Sequence, residues 1–87
     1  MPRFIAVHTA PFTLEQLKAL AKAPASEIPA GVSWKLTYCD FDDNKFFCDW
    51  EAPNKETVEQ GFKAQNVPFD AVYPVQIFDP AKAELES

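Results

Sequence analysis

Ser33-Trp34-Lys35-Leu36-Thr37-Tyr38-Cys39-Asp40, then Phe41-Asp42-Asp43-Asn44, then Lys45-Phe46-Phe47-Cys48-Asp49-Trp50-Glu51: residues 33–51 decide the fold. The first eight alternate, with Trp34, Leu36 and Tyr38 on one side and Lys35, Thr37 and Cys39 on the other, which is the period of a half-buried strand. Asp and Asn in 41–44 are turn residues, because their short side chains bond the backbone nearby and tolerate tight conformations. A second strand over 44–51 follows, so the stretch reads as a β-hairpin. Setting the apolar side chains on one face pairs Tyr38 with Cys48 and Leu36 with Trp50. The polar pairs are then Lys35 with Glu51 and Thr37 with Asp49. In this register Cys39 and Cys48 point to opposite faces, which excludes a disulfide between them.

Working outward, Arg3 to His8 is a short β-rich run with Phe4, Ile5 and Val7, closed by Pro11. Thr13-Leu14-Glu15-Gln16 has the form of a capping box, Thr13 at the N-cap and Gln16 three residues on. Leu14, Leu17, Leu20 and Ala21 recur at helical spacing, and Pro24 ends the helix before a loop over 24–31. On the other side, Asn54 is an N-cap with Glu56 in the first turn, and Val58 and Phe62 form the buried stripe of a second helix. Gly61 within it suggests a close approach of helix to sheet, and Asn66 is a C-terminal stop before Val67-Pro68. Ala71 to Phe78 is a last strand, in which Pro74, lacking an N–H, suits an edge.

The order strand-helix-strand-strand-helix-strand is a split βαβ pattern. It predicts an α+β, ferredoxin-like βαββαβ sandwich: a four-stranded antiparallel sheet with two helices on one face. Residues 1–78 form the single domain and 79–87 a polar C-terminal tail that frays or forms one helical turn. The chain has 87 residues, 47% hydrophobic and 14% aromatic, with eight Phe, two Trp and two Tyr. This aromatic content exceeds what a small core calls for, so a homodimer through the open sheet face is expected.

A net charge of −5 with eight Lys and Arg provides no basic stripe, which argues against nucleic acid as a partner. No apolar run is long enough to span a bilayer. Met1-Pro2-Arg3-Phe4 leads into a strand rather than a signal peptide, so a cytoplasmic location and two reduced thiols are expected. Two glycines leave no phosphate-cradling loop. His8 is the one imidazole, available as a metal ligand or base near pH 7. Asp40, Asp42 and Asp43 read as a solvated turn, since an EF-hand's glycine and terminal glutamate are missing. Glu51 reads as the partner of Lys35.

Lys45-Phe46-Phe47-Cys48-Asp49-Trp50-Glu51-Ala52-Pro53 contains the element F-C-x-x-E-A-P. Together with Arg3 to His8, Thr13 to Leu17, Lys55 to Val58 and Val67 to Val75, it resembles a family of small bacterial nickel-binding ferredoxin-like proteins. That family was long grouped as a domain of unknown function. The resemblance implies a dimeric ferredoxin-like fold and binding of a divalent metal, Ni²⁺, with His8, Cys48 and Glu51 at the matching metal positions. Relatives carry further histidines where this chain reads Gln60-Gly61-Phe62 and Asn66-Val67-Pro68. If the first and third strands pair antiparallel, His8 lies level with Phe46 and about 16 Å from Glu51. The two therefore cannot share an ion within one chain.

The leading expectation is a small dimeric binding or sensing domain that takes a divalent transition metal weakly. The alternative is a small dimeric α/β-barrel enzyme, an isomerase or cofactor-free monooxygenase. It would use an aromatic pocket of Trp34, Tyr38, Trp50 and Tyr73 on the sheet face, with His8 as base.

Overall fold

The computed structural model describes residues 2–22 and 31–86. Strands β1 (Arg3–Thr9), β2 (Ser33–Asp40), β3 (Lys45–Glu51) and β4 (Ala71–Val75) form one antiparallel sheet in the order β2-β3-β1-β4. Helices α1 (Leu14–Ala21) and α2 (Lys55–Ala64) fall between β1 and β2 and between β3 and β4. The chain is thus α+β with two helices and a four-stranded sheet. Among the described residues no helix is long and apolar enough to cross a membrane.

The caps act as their residue types dictate. The Thr13 hydroxyl accepts from the Gln16 N–H at 3.2 Å while Gln16 Oε1 accepts from the Thr13 N–H at 2.8 Å. Asn54 Oδ1 accepts from the N–H of Thr57 at 2.8 Å. Asp40 Oδ1 accepts from the N–H groups of Asp42 and Asp43, and Asn44 completes the hairpin turn at φ 57°. The acidic cluster thus closes a turn. Pro24, expected to end α1, lies outside the described residues.

β1 lies at the centre, with His8 opposite Phe46 on one side and Ala6 opposite Val72 on the other. One sheet face, from Phe4, Ala6, Cys48 and Val72, packs with Val58 and Phe62 of α2 into the core. Pro74 sits on β4, an edge strand, as its missing donor requires.

The hairpin departs from the expected register. From the turn back to Leu36 the pairing is displaced by one, with Cys39 opposite Phe46, Tyr38 opposite Phe47, Thr37 opposite Cys48 and Leu36 opposite Asp49, and beyond it by two, so that Trp34 rather than Leu36 faces Trp50. A β-bulge at Lys35 takes up the extra residue. It lets the two indoles stack on the helix side, centroids 5.7 Å apart and 14° between planes. Leu36 and Tyr38 turn to the open face instead, where they are exposed with Phe47 and Tyr73. Opposed residues share a face, so Cys39 and Cys48 project from the same side of the sheet rather than opposite sides. Both are free, Cys39 exposed and Cys48 buried.

Three more expectations change. The residues after β4 form a separate two-stranded ribbon, β5 (Ile77–Asp79) with β6 (Glu84–Glu86), instead of a longer last strand and a helical or frayed tail. Helix α1 buries no side chain: Leu14 is exposed and Leu17 and Leu20 are half-buried. Gly61 does not mark a close approach, since a Cβ built there meets nothing within 4 Å. Gly61→Ala is therefore expected to stabilise the protein by about 1 kcal/mol through helix propensity. A rise in the urea midpoint checks this, and a loss of stability would mean that α2 needs the glycine.

Candidate functional site

The space left free at Gly61 belongs to a cavity of about 500 Å³ between the sheet and both helices. Phe12, Leu17 and Leu20 form its outer wall, Val58, Gly61 and Phe62 its α2 side, and His8, Trp34, Phe46, Cys48 and Trp50 its floor.

His8 reaches this floor because β1 alternates. Phe4, Ala6 and His8 face inward and all three are buried. The imidazole is 1% exposed and meets Phe62 and Phe12 edge-on, with centroids 4.9 and 5.7 Å away. Its orientation is set by the end of α2. Asn66 adopts φ 57°, the N–H of Val67 bonds the Phe62 carbonyl at 2.9 Å and that of Asn66 bonds the Lys63 carbonyl at 3.2 Å, a Schellman turn. That turn delivers the Pro68 carbonyl to His8 Nδ1 at 2.7 Å. A carbonyl only accepts, so Nδ1 carries the proton and the neutral ring keeps a bare lone pair on Nε2. Nε2 is buried and has no hydrogen-bond partner. Burial lowers the imidazole pKa below its usual 6.5, outweighing the Pro68 bond and the Asp70 charge. His8 is neutral near pH 7.

Other polar groups here are satisfied or spent. Trp34 Nε1–H donates to the Thr37 hydroxyl at 2.7 Å, which donates to Cys48 Sγ at 3.2 Å. Burial pushes the Cys48 thiol up to about 11, so it is neither a ready thiolate nucleophile nor a ready thiolate ligand. Trp50 Nε1 is the exception: it is buried beside the Cys48 thiol but has no partner at normal hydrogen-bond geometry.

Of the three residues the family resemblance implies as metal ligands, His8 and Cys48 face this cavity, while Glu51 does not. Glu51 opposes Arg3 at the far end of β1 and holds Lys35 at 3.5 Å and Arg3 at 3.7 Å. Arg3 Nε also donates to Asp49 Oδ1 at 3.0 Å, and its terminal nitrogen pairs with Asp49 Oδ2. The Lys35–Glu51 contact is present although Ser33, not Lys35, stands opposite Glu51. Among the described residues no three His, Cys, Asp or Glu side chains gather as a metal site. One chain therefore offers Ni²⁺ a single imidazole position here. His8 and the open sheet face also lie on opposite sides of the sheet, so a copy docked on that face brings no donor to His8.

The aromatic pocket expected around Trp34, Tyr38, Trp50 and Tyr73 is split the same way. Both indoles line the cavity, and both tyrosines are exposed on the other face. Missing from the sequence reading were Trp50 Nε1 and the Pro68 carbonyl. Asn66 was read as a helix stop, and that stop is what carries the carbonyl to His8.

Residues 4–75 match the model of a family described as nickel responsive protein SCO4226-like. The crystal structure of SCO4226 from Streptomyces coelicolor A3(2) superposes with a TM-score of 0.68 at 22% identity. The match covers 84% of this chain and 94% of that one, and shows a shared fold. No curated protein matches the chain.

Proposed function

Because this chain belongs to the SCO4226-like family of nickel-responsive proteins, we propose that it is a small binding and sensing domain whose site is the cavity over His8. The observation that supports this most directly is a buried, neutral imidazole with an unpartnered Nε2, held in one tautomer by Pro68. A buried polar atom without a partner costs about 1–3 kcal/mol, a deficit that a bound ligand removes. The strand order, with two intervening helices, supports a ferredoxin-like arrangement. The apolar open face of Leu36, Tyr38, Phe47 and Tyr73 is where a homodimer would form.

Nickel comes to this chain as a proposal from its family. His8 Nε2 suits Ni²⁺ as a neutral imidazole donor, and the ion's other positions would fall to water or small solutes. Affinity is accordingly weak. Ni²⁺ titrated by calorimetry into the wild type at pH 7 is expected to give a weak isotherm that His8→Ala removes. Equal heats from both proteins, or none from either, would sink the nickel reading.

A further inference from the structure

From the two unpartnered atoms and the walls around them, we infer that the His8 cavity binds an uncharged planar aromatic molecule with an oxygen function at each end: one hydroxyl donates to His8 Nε2, and the other oxygen accepts from Trp50 Nε1–H. This deepens the binding-domain reading and rests on it for the place of the site, not for nickel.

The two atoms are complementary and near one another. His8 and Trp50 stand edge-on to the same ring, Phe62, at centroid distances of 4.9 and 5.4 Å. Their ring centroids are therefore at most about 10 Å apart, a span that a fused bicycle with a substituent at each end can reach across. One atom is a pure acceptor and the other a pure donor. The Trp34 N–H and the Cys48 thiol on the floor are already engaged through the Thr37 hydroxyl, and Ser33, Thr57 and Gln65 are the remaining uncharged polar side chains of the described lining.

The walls select the rest of the ligand. A cavity of about 500 Å³ lies within the ~300–1,000 Å³ usual for small-molecule sites. Aromatic edges and faces line it, and Lys35 is the one charged residue among its described lining. That ammonium is already held by Glu51 at 3.5 Å and the chain's net charge is −5, so an anion is disfavoured. Entry is through the outer wall. Helix α1 has no fully buried side chain, and its parting from the sheet is the step that would bring both buried nitrogens into reach.

The test is calorimetry with 2,6-dihydroxynaphthalene, 2-naphthol and naphthalene, in EDTA to exclude metal, on the wild type and on Trp50→Phe. The diol is expected to bind tightest in the wild type, and loss of each hydroxyl to weaken binding by roughly five- to tenfold. In Trp50→Phe, which keeps a ring on the floor, the diol should lose its advantage over 2-naphthol while naphthalene binding stays the same. The proposal is overturned if naphthalene matches the diol, if Trp50→Phe weakens all three alike, or if none binds. It is overturned too if 2-naphthoate binds more tightly than 2-naphthol. Loss of diol binding alongside His8-dependent Ni²⁺ heat removes the aromatic ligand and leaves the binding-domain reading standing.

Discussion

Phe62→Ala is expected to cost about 3–5 kcal/mol, the range for truncating a buried phenylalanine. For a single domain of this size, with some 5–15 kcal/mol in total, that leaves little margin at 37 °C. Phe62 is 7% exposed and touches four places at once: the His8 ring, the Trp50 ring, Phe69 at 5.4 Å, and the Val67 turn whose N–H bonds its own carbonyl. Truncation opens a void into an existing cavity, so the neighbours have nothing to close against. Urea unfolding followed by circular dichroism measures the loss. A cost below about 1 kcal/mol would show that the aromatic column over His8 is not the core of this protein.

The second large effect belongs to His8 itself. His8→Ala is expected to cost about 2–4 kcal/mol at pH 7, because it removes a fully buried ring between Phe12 and Phe62 and leaves the Pro68 carbonyl without its donor. It should also change how stability depends on pH. The folded imidazole has a pKa below its usual 6.5, so as pH falls below 6.5 the unfolded chain takes up a proton that the folded chain refuses. This contribution is fully present above pH 6.5 and is lost progressively as pH drops from there toward the folded pKa. The wild type should therefore lose more stability than His8→Ala between pH 7 and pH 5, and the gap between the two should narrow. Urea unfolding of both proteins at the two pH values decides it. Equal losses would mean that the buried ring titrates as it does in water.

Local chemistry made much of the fold legible. Thr13 with Gln16 marks the start of one helix and Asn54 that of the other. Asn66 marks a helix end because asparagine tolerates the left-handed backbone that a Schellman turn needs. The level of His8 beside Phe46 followed from antiparallel counting alone. Less of the site was legible. Trp50 appeared in the sequence only as a large apolar side chain, and nothing local shows that its N–H goes unpaired. Helix α1 has the apolar spacing of a buried helix, yet its leucines line a cavity, because spacing defines a face and not how closely it is packed. The tail looked polar and frayed because three-residue strands are too short to show alternation.

Residues 33–51 mark the division between the two. Alone, they determine two strands and the turn that joins them, since turn chemistry and β-rich runs act over a few residues. Which side chains face the helices was decided only in three dimensions. Alternation assigns faces correctly until one extra residue is inserted, and the bulge at Lys35 inserts it. The stacking of Trp34 on Trp50 over Phe62 accompanies that bulge, a contact among three elements far apart in sequence. From it follow the outward turn of Leu36 and Tyr38, the shared face of Cys39 and Cys48, and the cavity floor on which His8 Nε2 and Trp50 Nε1 lie without partners.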